Sequence, residues 1–533
     1  MHIDVIEGIN EFQALRRNWE VIYDADPEAQ FFLSWQWLGE WLTTHPTVWF
    51  VLAGKAHRSD PEYSAFLALR MRTSFDHKHG FYNELFFAGD GFSDYNGILT
   101  RPEFEAEAVP AFAEFVKRRL NWARFTMENM TISDRRRRLF LRAFDKMQFV
   151  HTEIDHRDGR INHAICPVIQ LPDSWDEYLN TLSQNNRQKI RRLLKRVDVG
   201  KDCRITISDA HTISDNLQSL LELWKIKWRP SKGDDAEAIA ERNWIMLSRC
   251  AENGTLFLPV FWHGERPVAA LGTLVDHCKK SLLFFITGRD ETYHGLPAGY
   301  LLHAFSIRYA IAQGFRTYEF LKGNEPYKYL FAPQVERHQR PLSVTTKGGR
   351  NLGGKLDPRG LAIMLERTLE FEEQEQTADA ELAYRQILEL APDNALALYR
   401  FGKFMAKNGD HIQAKTLLKR SVELEPDGDN TWFYLAQSLE ALGETAAALA
   451  AYREVVRLQP RHDEAKEKVV QLSASVGGAA PVTPPLLGLP GAEPARQDAI
   501  MAEPNLVLRK QLEELRNLSD KYFDTFVNPR PRL

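Results

Sequence analysis

Acidic, phenol and ammonium groups follow one another closely near residue 320. The run 317–321 (TYEFL) alternates in polarity like a short strand and carries Glu319, and the loop after it holds Lys322, Tyr327 and Lys328. A carboxylate near a strand end, followed by a polar loop, is an arrangement in which catalytic groups are commonly found. We predict Glu319 as a general base. The alternative is a buried structural carboxylate that pairs with Lys322 or Lys328.

A glycine-rich turn, GLPAG at 295–299, precedes these groups. It joins the apolar run LLFFI at 282–286, a predicted strand, to a segment of helical periodicity that reaches Ala312. N–H groups and the positive end of the macrodipole at such a helix start can bind an anion, typically a phosphate. The alternative is that the glycines only shape a tight connection. The candidate residues for binding the anion are Gly295, Ala298 and Gly299, and His294 beside them is a second choice of base.

A cationic amphipathic helix is predicted at 183–197. Ile190 and Leu194 belong to its apolar stripe, and the other faces carry cations. Three interpretations remain open: a solvated face, a surface for anionic lipid headgroups, and a phosphate-binding face for a nucleotide-bearing donor. The six cations are Arg187, Lys189, Arg191, Arg192, Lys195 and Arg196.

The first 160 residues read as a mixed α/β unit rich in aromatic residues. The segment 31–42 (FFLSWQWLGEWL) is predicted to be a helix capped by Ser34. Its tryptophans suggest a ligand cleft, with Trp37 as a candidate substrate contact, or aromatic core packing. A polar turn at 89–96 contains Asp94 and Tyr95, which the residues alone predict to cap the loop.

Composition limits the class of protein. At 533 residues the chain is too long for one ordinary domain, and a net charge of -4 argues against a surface coated in basic charge for nucleic acid. The four cysteines lack metal-ligand spacing, so we expect reduced core thiols, no disulfide framework and no metal site. Without a signal-like N-terminus or an apolar run of spanning length, we expect a cytoplasmic protein.

A different architecture follows residue 360. Pro392, Pro426 and Pro460 are 34 residues apart and close segments of matching form, which is the signature of tetratricopeptide repeats. We predict a solenoid over 361–472 that docks a protein partner; a purely structural role is the alternative. The Ala-, Pro- and Gly-rich stretch 473–503 is predicted to be a disordered linker, and 504–528 an amphipathic helix.

The order of motifs in the second region resembles a known family. The motifs are Tyr293, Pro297-Ala298-Gly299, a helix ending at Gly314, Tyr318-Glu319-Phe320-Leu321-Lys322-Gly323 and Tyr327-Lys328. This order resembles the CelD-like (cellulose-biosynthesis-associated) acyltransferases of the GNAT superfamily. The resemblance covers roughly residues 1–350. It implies a double GNAT fold related to FemABX, α/β (α+β) with mixed, largely antiparallel sheets, in lobes at 1–160 and 161–355 before the all-α repeats.

The resemblance also implies chemistry and site residues. It implies direct acyl transfer from acyl-CoA to an amine, without a covalent intermediate. Asp94 and Tyr95 become candidate acceptor contacts, Arg187 and Arg191 the leading cations, and Tyr327 and Lys328 groups that polarise the carbonyl or bind phosphate. The acceptor would be a sugar, lipid or amino acid of the cell envelope or an exopolysaccharide, with possible contact to the inner membrane face. The rivals are a non-catalytic scaffold and an aminoacyl-tRNA-dependent transferase.

Overall fold

The computed structural model describes residues 1–44, 48–200, 202–233 and 235–476. The chain divides into two compact units, the first formed by Met1–Arg72 and Glu84–Gly353, the second by Thr73–Asn83 and the chain from Gly354. The predicted linker at 473–503 lies outside the described residues except for its start, which is helical up to Val476. The predicted tail helix at 504–528 lies entirely outside them.

Strands and helices follow one another in the order of a mixed α/β protein, then of a helical one. The strands are β1 (His2–Ile6), β2 (Val48–Lys55), β3 (Ala65–Asp76), β4 (Gly80–Phe87), β5 (Leu99–Thr100), β6 (Arg124–Met127), β7 (Phe149–Glu153), β8 (Arg157–Asp158), β9 (Ile161–Asn162), β10 (Ile165–Gln170), β11 (Cys203–Ile207), β12 (Leu256–Phe257), β13 (Pro259–His263), β14 (Arg266–Asp276), β15 (Ser281–Arg289), β16 (Thr317–Glu319), β17 (Val335–His338) and β18 (Leu342–Thr346). The helices are α1 (Ile9–Ala14), α2 (Arg16–Ala25), α3 (Glu40–Thr44), α4 (Glu105–Arg119), α5 (Asp134–Leu141), α6 (Trp175–Thr181), α7 (Gln184–Val199), α8 (Ile213–Lys232), α9 (Asp235–Glu252), α10 (Ala298–Ala312), α11 (Leu361–Glu373), α12 (Thr377–Leu390), α13 (Ala395–Lys407), α14 (His411–Leu424), α15 (Asp429–Ala441), α16 (Thr445–Leu458) and α17 (Asp463–Val476).

The first unit contains two large sheets. The first sheet has the order β1-β2-β3-β4-β6-β18-β7, with β5 on β3, and with α1–α5 it forms what we term the first lobe. The second sheet has the order β11-β13-β14-β15-β16-β10-β17, with β12 on β14, and with α6–α10 it forms the second lobe. The strand order corrects the predicted lobe boundaries, which place 342–346 in the second lobe. As β18 it pairs with β6 and β7 instead.

Each sheet contains one parallel pair among antiparallel neighbours. In the first lobe β4 and β6 run parallel, joined by β5 and α4. In the second lobe β15 and β16 run parallel, joined by α10. A parallel pair needs a crossover connection, which the helix supplies in both cases. The two lobes therefore repeat one strand–helix–strand plan.

The aromatic segment near residue 35 departs from the predicted single helix. Its backbone forms a 3-10 turn at Phe31–Leu33, a π-helical turn at Trp35–Gly39 and then α3. Ser34 stands at the N-cap position, but its side chain makes no capping bond. All three tryptophans of this segment, Trp35, Trp37 and Trp41, are buried.

The second unit is a stack of helix pairs, α11 to α17. Gly409 and Gly443 take positive φ between the two helices of a pair, where a left-handed turn favours glycine. Small and apolar side chains meet between helices as the repeat pattern predicts, and Ala414 and Ala448 are fully buried. The predicted fold class, a mixed α/β region followed by an all-α repeat solenoid, is confirmed.

Candidate functional site

Strands β15 and β16 part at Glu319. They pair in register from Ser281 with Thr317 to Leu283 with Glu319, where β16 ends, while β15 continues to Arg289. The ladder between β14 and β15 is also irregular between Gly272 and Thr273, leaving Phe285 as an extra residue in β15. Bulges of this kind redirect side chains beside functional sites. The second sheet is therefore opened on the C-terminal side of Glu319.

Glu319 lies in a buried polar cluster. Its side chain is fully buried and accepts hydrogen bonds from the Tyr95 hydroxyl at 3.1 Å and from Nη2 of Arg337 at 3.3 Å. The structure thus corrects the expected partners: Lys322 pairs with Asp94 at 3.1 Å instead. Arg337 was missed because only the register of β17 against β10 brings it to Glu319.

Lys328 holds the loop that follows β16. Its buried ammonium donates to the carbonyls of Lys322 and Gly323, at 2.6 and 2.9 Å, and lies 2.9 Å from a carboxylate oxygen of Glu325. Burial lowers the pKa of Lys328, against the opposing effect of Glu325. The side chain is therefore occupied within its own loop, whereas neighbouring Tyr327 stays 38% exposed.

The two cations near Glu319, Arg337 and Lys322, are stabilised in their charged forms by ion pairs. Burial lowers the pKa of Arg337, but the Glu319 carboxylate together with neighbouring groups outweighs burial, so the pKa is raised overall. Burial likewise lowers the pKa of Lys322, and Asp94 together with smaller contributions from its surroundings raises it overall. Burial raises the pKa of the Tyr95 hydroxyl well above its ordinary value. Of the two predicted acceptor contacts in the first lobe, Tyr95 bonds Glu319 directly, and Asp94 bonds Lys322 in the loop after β16.

Backbone strain marks the end of β16. Leu321, a buried non-glycine residue, has φ of 54° two residues after the strand. Asn129 has the same φ of 54°, two residues after β6. Such conformations cost free energy and cluster at functional sites. One strand of each parallel pair, β16 in the second lobe and β6 in the first, is therefore followed two residues later by a residue in the left-handed conformation.

The glycine-rich turn leads into α10. A Cβ atom on Gly295 would lie 2.3 Å from the Tyr293 hydroxyl, so this glycine is needed for packing. Ala298 and Gly299 form the first helical turn, which contains no acidic residue, and the space beside Gly299 is open. His294, the second choice of base, is exposed in the turn before the helix.

The cations of α7 divide into two groups. Arg187 donates to the carbonyls of Asn180 and Leu182, both at 3.3 Å, and Arg191 pairs with Asp176 at 3.4 Å. Neither of these predicted leading cations contacts the glycine-rich turn. The cation beside it is Lys189, whose Nζ lies 4.5 Å from the centre of the Tyr300 ring. No described residue bonds the Tyr300 hydroxyl, and burial raises its pKa to about 12.

His303 is a further polar group that the sequence pattern did not single out. It lies on α10 in the core, and its Nδ1 is 2.8 Å from the Tyr318 hydroxyl. Burial lowers the pKa of His303 to about 3, with a smaller contribution from Lys328. Its ring centre is 5.9 Å from that of Tyr327. The imidazole is therefore neutral and connects α10 to β16 and its loop.

Trp37 does not line an open site. It is fully buried, donates from Nε1 to the Ser93 hydroxyl at 3.0 Å and packs on Phe285 with ring centres 5.3 Å apart. From the first lobe, its ring instead packs against the bulged part of strand β15.

Among the described residues no group of His, Cys, Asp and Glu is arranged to hold a metal ion. No helix in the described part of the chain has the length and apolar character needed to cross a membrane.

Known families and structures share parts of this architecture. Residues 184–329 match the family described as acetyltransferase (GNAT) domain, and 372–439 and 429–472 match two tetratricopeptide repeat families. No curated protein sequence matches at a significant level.

Three solved structures show weaker likeness. The crystal structure of FemX is 11% identical, with a TM-score of 0.44, over 62% of this chain and 95% of that one. A conserved protein of unknown function from Bacteroides thetaiotaomicron VPI-5482 is 13% identical, with a TM-score of 0.39, over 65% and 99%. The first repeat domain of Spaghetti (RPAP3), bound to an HSP90 peptide, is 16% identical, with a TM-score of 0.22, over 23% and 96%. These values carry no inference about function. From the family matches, the chain contains a GNAT-type acetyltransferase domain followed by tetratricopeptide repeats.

Proposed function

We propose that the first unit is an N-acyltransferase that moves an acyl group from acyl-CoA to an amine acceptor. The observation that supports this most is the position of Glu319. Its carboxylate ends the shorter strand of a parallel pair, at the point where the sheet opens. The same connection carries the acid-free first turn of α10. A group for proton transfer and a turn for an anionic donor thus belong to one strand–helix–strand element.

The donor's phosphates would bind the first turn of α10. Its N–H groups at Ala298 and Gly299 have no preceding turn to bond, and the dipole favours negative charge there. Lys189 supplies a positive charge beside Tyr300. Arg187 and Arg191, which bind protein carbonyls and a carboxylate, would contribute only to the wider positive field.

The reaction would proceed by direct transfer. The amine nitrogen attacks the thioester carbonyl, its surplus proton passes to Glu319, and the carbon–sulfur bond breaks. The departing thiolate takes a proton from solvent, to which Glu319 then releases the proton that it accepted. Accepting that proton requires Glu319 to exchange one of its two present hydrogen bonds for the amine. Tyr327, half-exposed beside the loop, is our candidate for contacting the carbonyl oxygen. Lys328 would position that loop.

The biological setting follows from the sequence resemblance alone. We propose a CelD-like role in cell-envelope, exopolysaccharide or lipid biosynthesis, on the cytoplasmic side and peripheral to the inner membrane. Repeats of this kind commonly bind proteins on their concave face. We therefore propose a protein partner for the second unit, which would bring the transferase to its acceptor.

Thermal unfolding with acyl-CoAs of graded chain length tests the donor. We expect at least one chain length to raise the midpoint, because a ligand that binds only the folded state stabilises it. Lys189→Glu should weaken this effect, and Lys195→Glu, the same charge change on the exposed side of α7, should not. If no acyl-CoA stabilises the protein, the proposal fails. Stabilisation by an aminoacyl-tRNA would then favour the FemABX-like rival, and a response to neither would favour the scaffold.

A further inference from the structure

A cleft lies between the two lobes at the end of the β14–β15 hairpin. Its volume is about 340 Å³, within the range of small-molecule sites. From the first lobe it is lined by Glu20, Tyr23, Phe31, Ser34 and Trp35, and from the second by Asp276 and its neighbours. The Tyr23 hydroxyl donates to Asp276 at 2.6 Å, so the two lobes meet at one wall of the cleft.

Ser34 is the unusual group in this lining. It is 2% exposed, and its hydroxyl bonds no described residue although it stands at the N-cap of a π-helical turn. A buried hydroxyl without a partner is costly, and N-cap serines normally bond the helix backbone. The hydroxyl is therefore left available on a cleft large enough to contain a ligand.

The charges that line the cleft are negative. Glu20 and Asp276 both line it, and no lysine or arginine belongs to the described residues that do so. Glu20 also pairs with Arg16 at 3.1 Å on its exposed side, and Asp276 accepts hydrogen bonds from Tyr23 and from two backbone N–H groups of its own turn, so each carboxylate would share its charge between these partners and a ligand. Nearby Lys279 is occupied, since its ammonium donates to the carbonyls of Asp24 and Asp26. Phe31 and Trp35 supply apolar surface. This lining favours a cation with an organic body.

The cleft is separate from the Glu319 cluster but lies on the same face of the second sheet. Asp276 pairs with Ser281, and Leu283, two residues along the same strand, pairs with Glu319. Asp276 and Glu319 are thus separated by two strand spacings across the sheet and two residues along it, which places their Cα atoms about 12 Å apart. Phe31 lines the cleft, whereas Phe32 packs on Tyr95, so this turn stands between the two sites.

We propose that the interlobe cleft is a second small-molecule site, for an organic ammonium ion that also carries hydroxyl groups. The ammonium would lie near Glu20 and Asp276, and a hydroxyl would bond Ser34. The site does not depend on the acyl-CoA reaction, because none of the groups placed at that reaction lines it.

Three probes separate the features of the ligand. Calorimetric titration of the full chain should give saturable binding of glucosamine. Glucose, which lacks the ammonium, and cyclohexylamine, which lacks the hydroxyls, should each bind about tenfold more weakly. Bound glucosamine should also slow alkylation of Cys278, an exposed thiol of the cleft, without affecting Cys203.

Ser34→Ala tests the hydroxyl directly. It should weaken glucosamine binding about tenfold, leave cyclohexylamine binding unchanged and raise the unfolding midpoint of the ligand-free protein, because an unpaired buried hydroxyl is removed. Ser306→Ala, at an equally buried serine on α10, should leave both probes unchanged. Binding of glucosamine no tighter than that of glucose, the absence of saturation, or an unchanged affinity in Ser34→Ala would each overturn the proposal.

Discussion

The two lobes use the same strand–helix–strand plan but differ at the start of the connecting helix. In the first lobe, the first turn of α4 carries Glu105 and Glu107, and the Glu105 carboxylate is bound by Arg136 at 2.9 Å. In the second lobe, the first turn of α10 contains no acid. A helix N-terminus attracts one negative charge most strongly in its first turn. The first lobe supplies that charge from its own chain, and the second leaves the position to a ligand.

Removing the arginine that binds Glu105 should have the largest effect. Arg136 is 1% exposed and also pairs with Asp26, which is fully buried. Arg136→Met removes the charge that pairs with buried Asp26 and leaves Glu105 only its exposed partner Arg135, so we expect a loss of about 3–5 kcal/mol in the free energy of unfolding, measured with urea. Arg135→Met, next to it but exposed, should cost less than about 1 kcal/mol. Equal losses would show that the buried network does not stabilise the first lobe.

Exchanging the buried carboxylates of the two parallel pairs for amides compares the lobes in catalysis. Glu319→Gln should lower kcat by about a hundredfold or more, because the proton acceptor is lost. Glu84→Gln, on β4 of the first lobe where the carboxylate is bound by Arg72 and Arg124, should leave kcat nearly unchanged. Unchanged turnover in Glu319→Gln would remove the base assignment without affecting the fold.

Placing an acid in α10 should make it resemble α4. The space beside Gly299 is open, so Gly299→Asp fits and places a negative charge where the donor's phosphate would bind. We expect about tenfold weaker acyl-CoA binding by titration. Gly299→Ala is the matched control and should retain affinity. If the two variants bind alike, the anion does not lie at this turn.

A smaller difference is that α10 buries a histidine. The pKa of His303 is lowered by burial to about 3. Below its ordinary pKa near 6.5 the unfolded chain takes up a proton that the folded chain does not, so stability is complete above that value and falls as pH decreases. Between about pH 6 and about pH 5 the loss from this group is about 1 kcal/mol. His303→Phe should show a correspondingly smaller decrease in urea unfolding; an identical pH profile would contradict a buried neutral imidazole.

Local patterns predicted the parts of the fold that depend on local sequence. The 34-residue spacing of the prolines indicates the repeats, and the strand, glycine-rich turn and helix at 282–312 were predicted because their periodicity changes within one stretch. The position of β18 in the first sheet could not be predicted, since it depends on pairing with β6, more than two hundred residues earlier in the chain.

In the candidate site, too, local features could be predicted from the sequence and long-range contacts could not. Glu319 and the first turn of α10 stand out in the sequence, but the partners of Glu319 come from β17 and from the first lobe. The pattern identified a row of cations on α7, whereas the packing of α7 on α10 determines that Lys189 lies at the turn. Which charged residues pair depends on how distant strands and helices pack together, and neither the spacing nor the composition of the sequence determines that packing.

Amide hydrogen exchange with and without acyl-CoA tests the central difference between the lobes most directly. Bound acyl-CoA should slow the exchange of the first-turn amides of α10, from Ala298 to Tyr300. The corresponding amides of α4, from Glu105 to Glu107, should exchange at an unchanged rate. Protection at α4 instead of α10, or at neither helix under saturating acyl-CoA, would contradict a donor site in the second lobe.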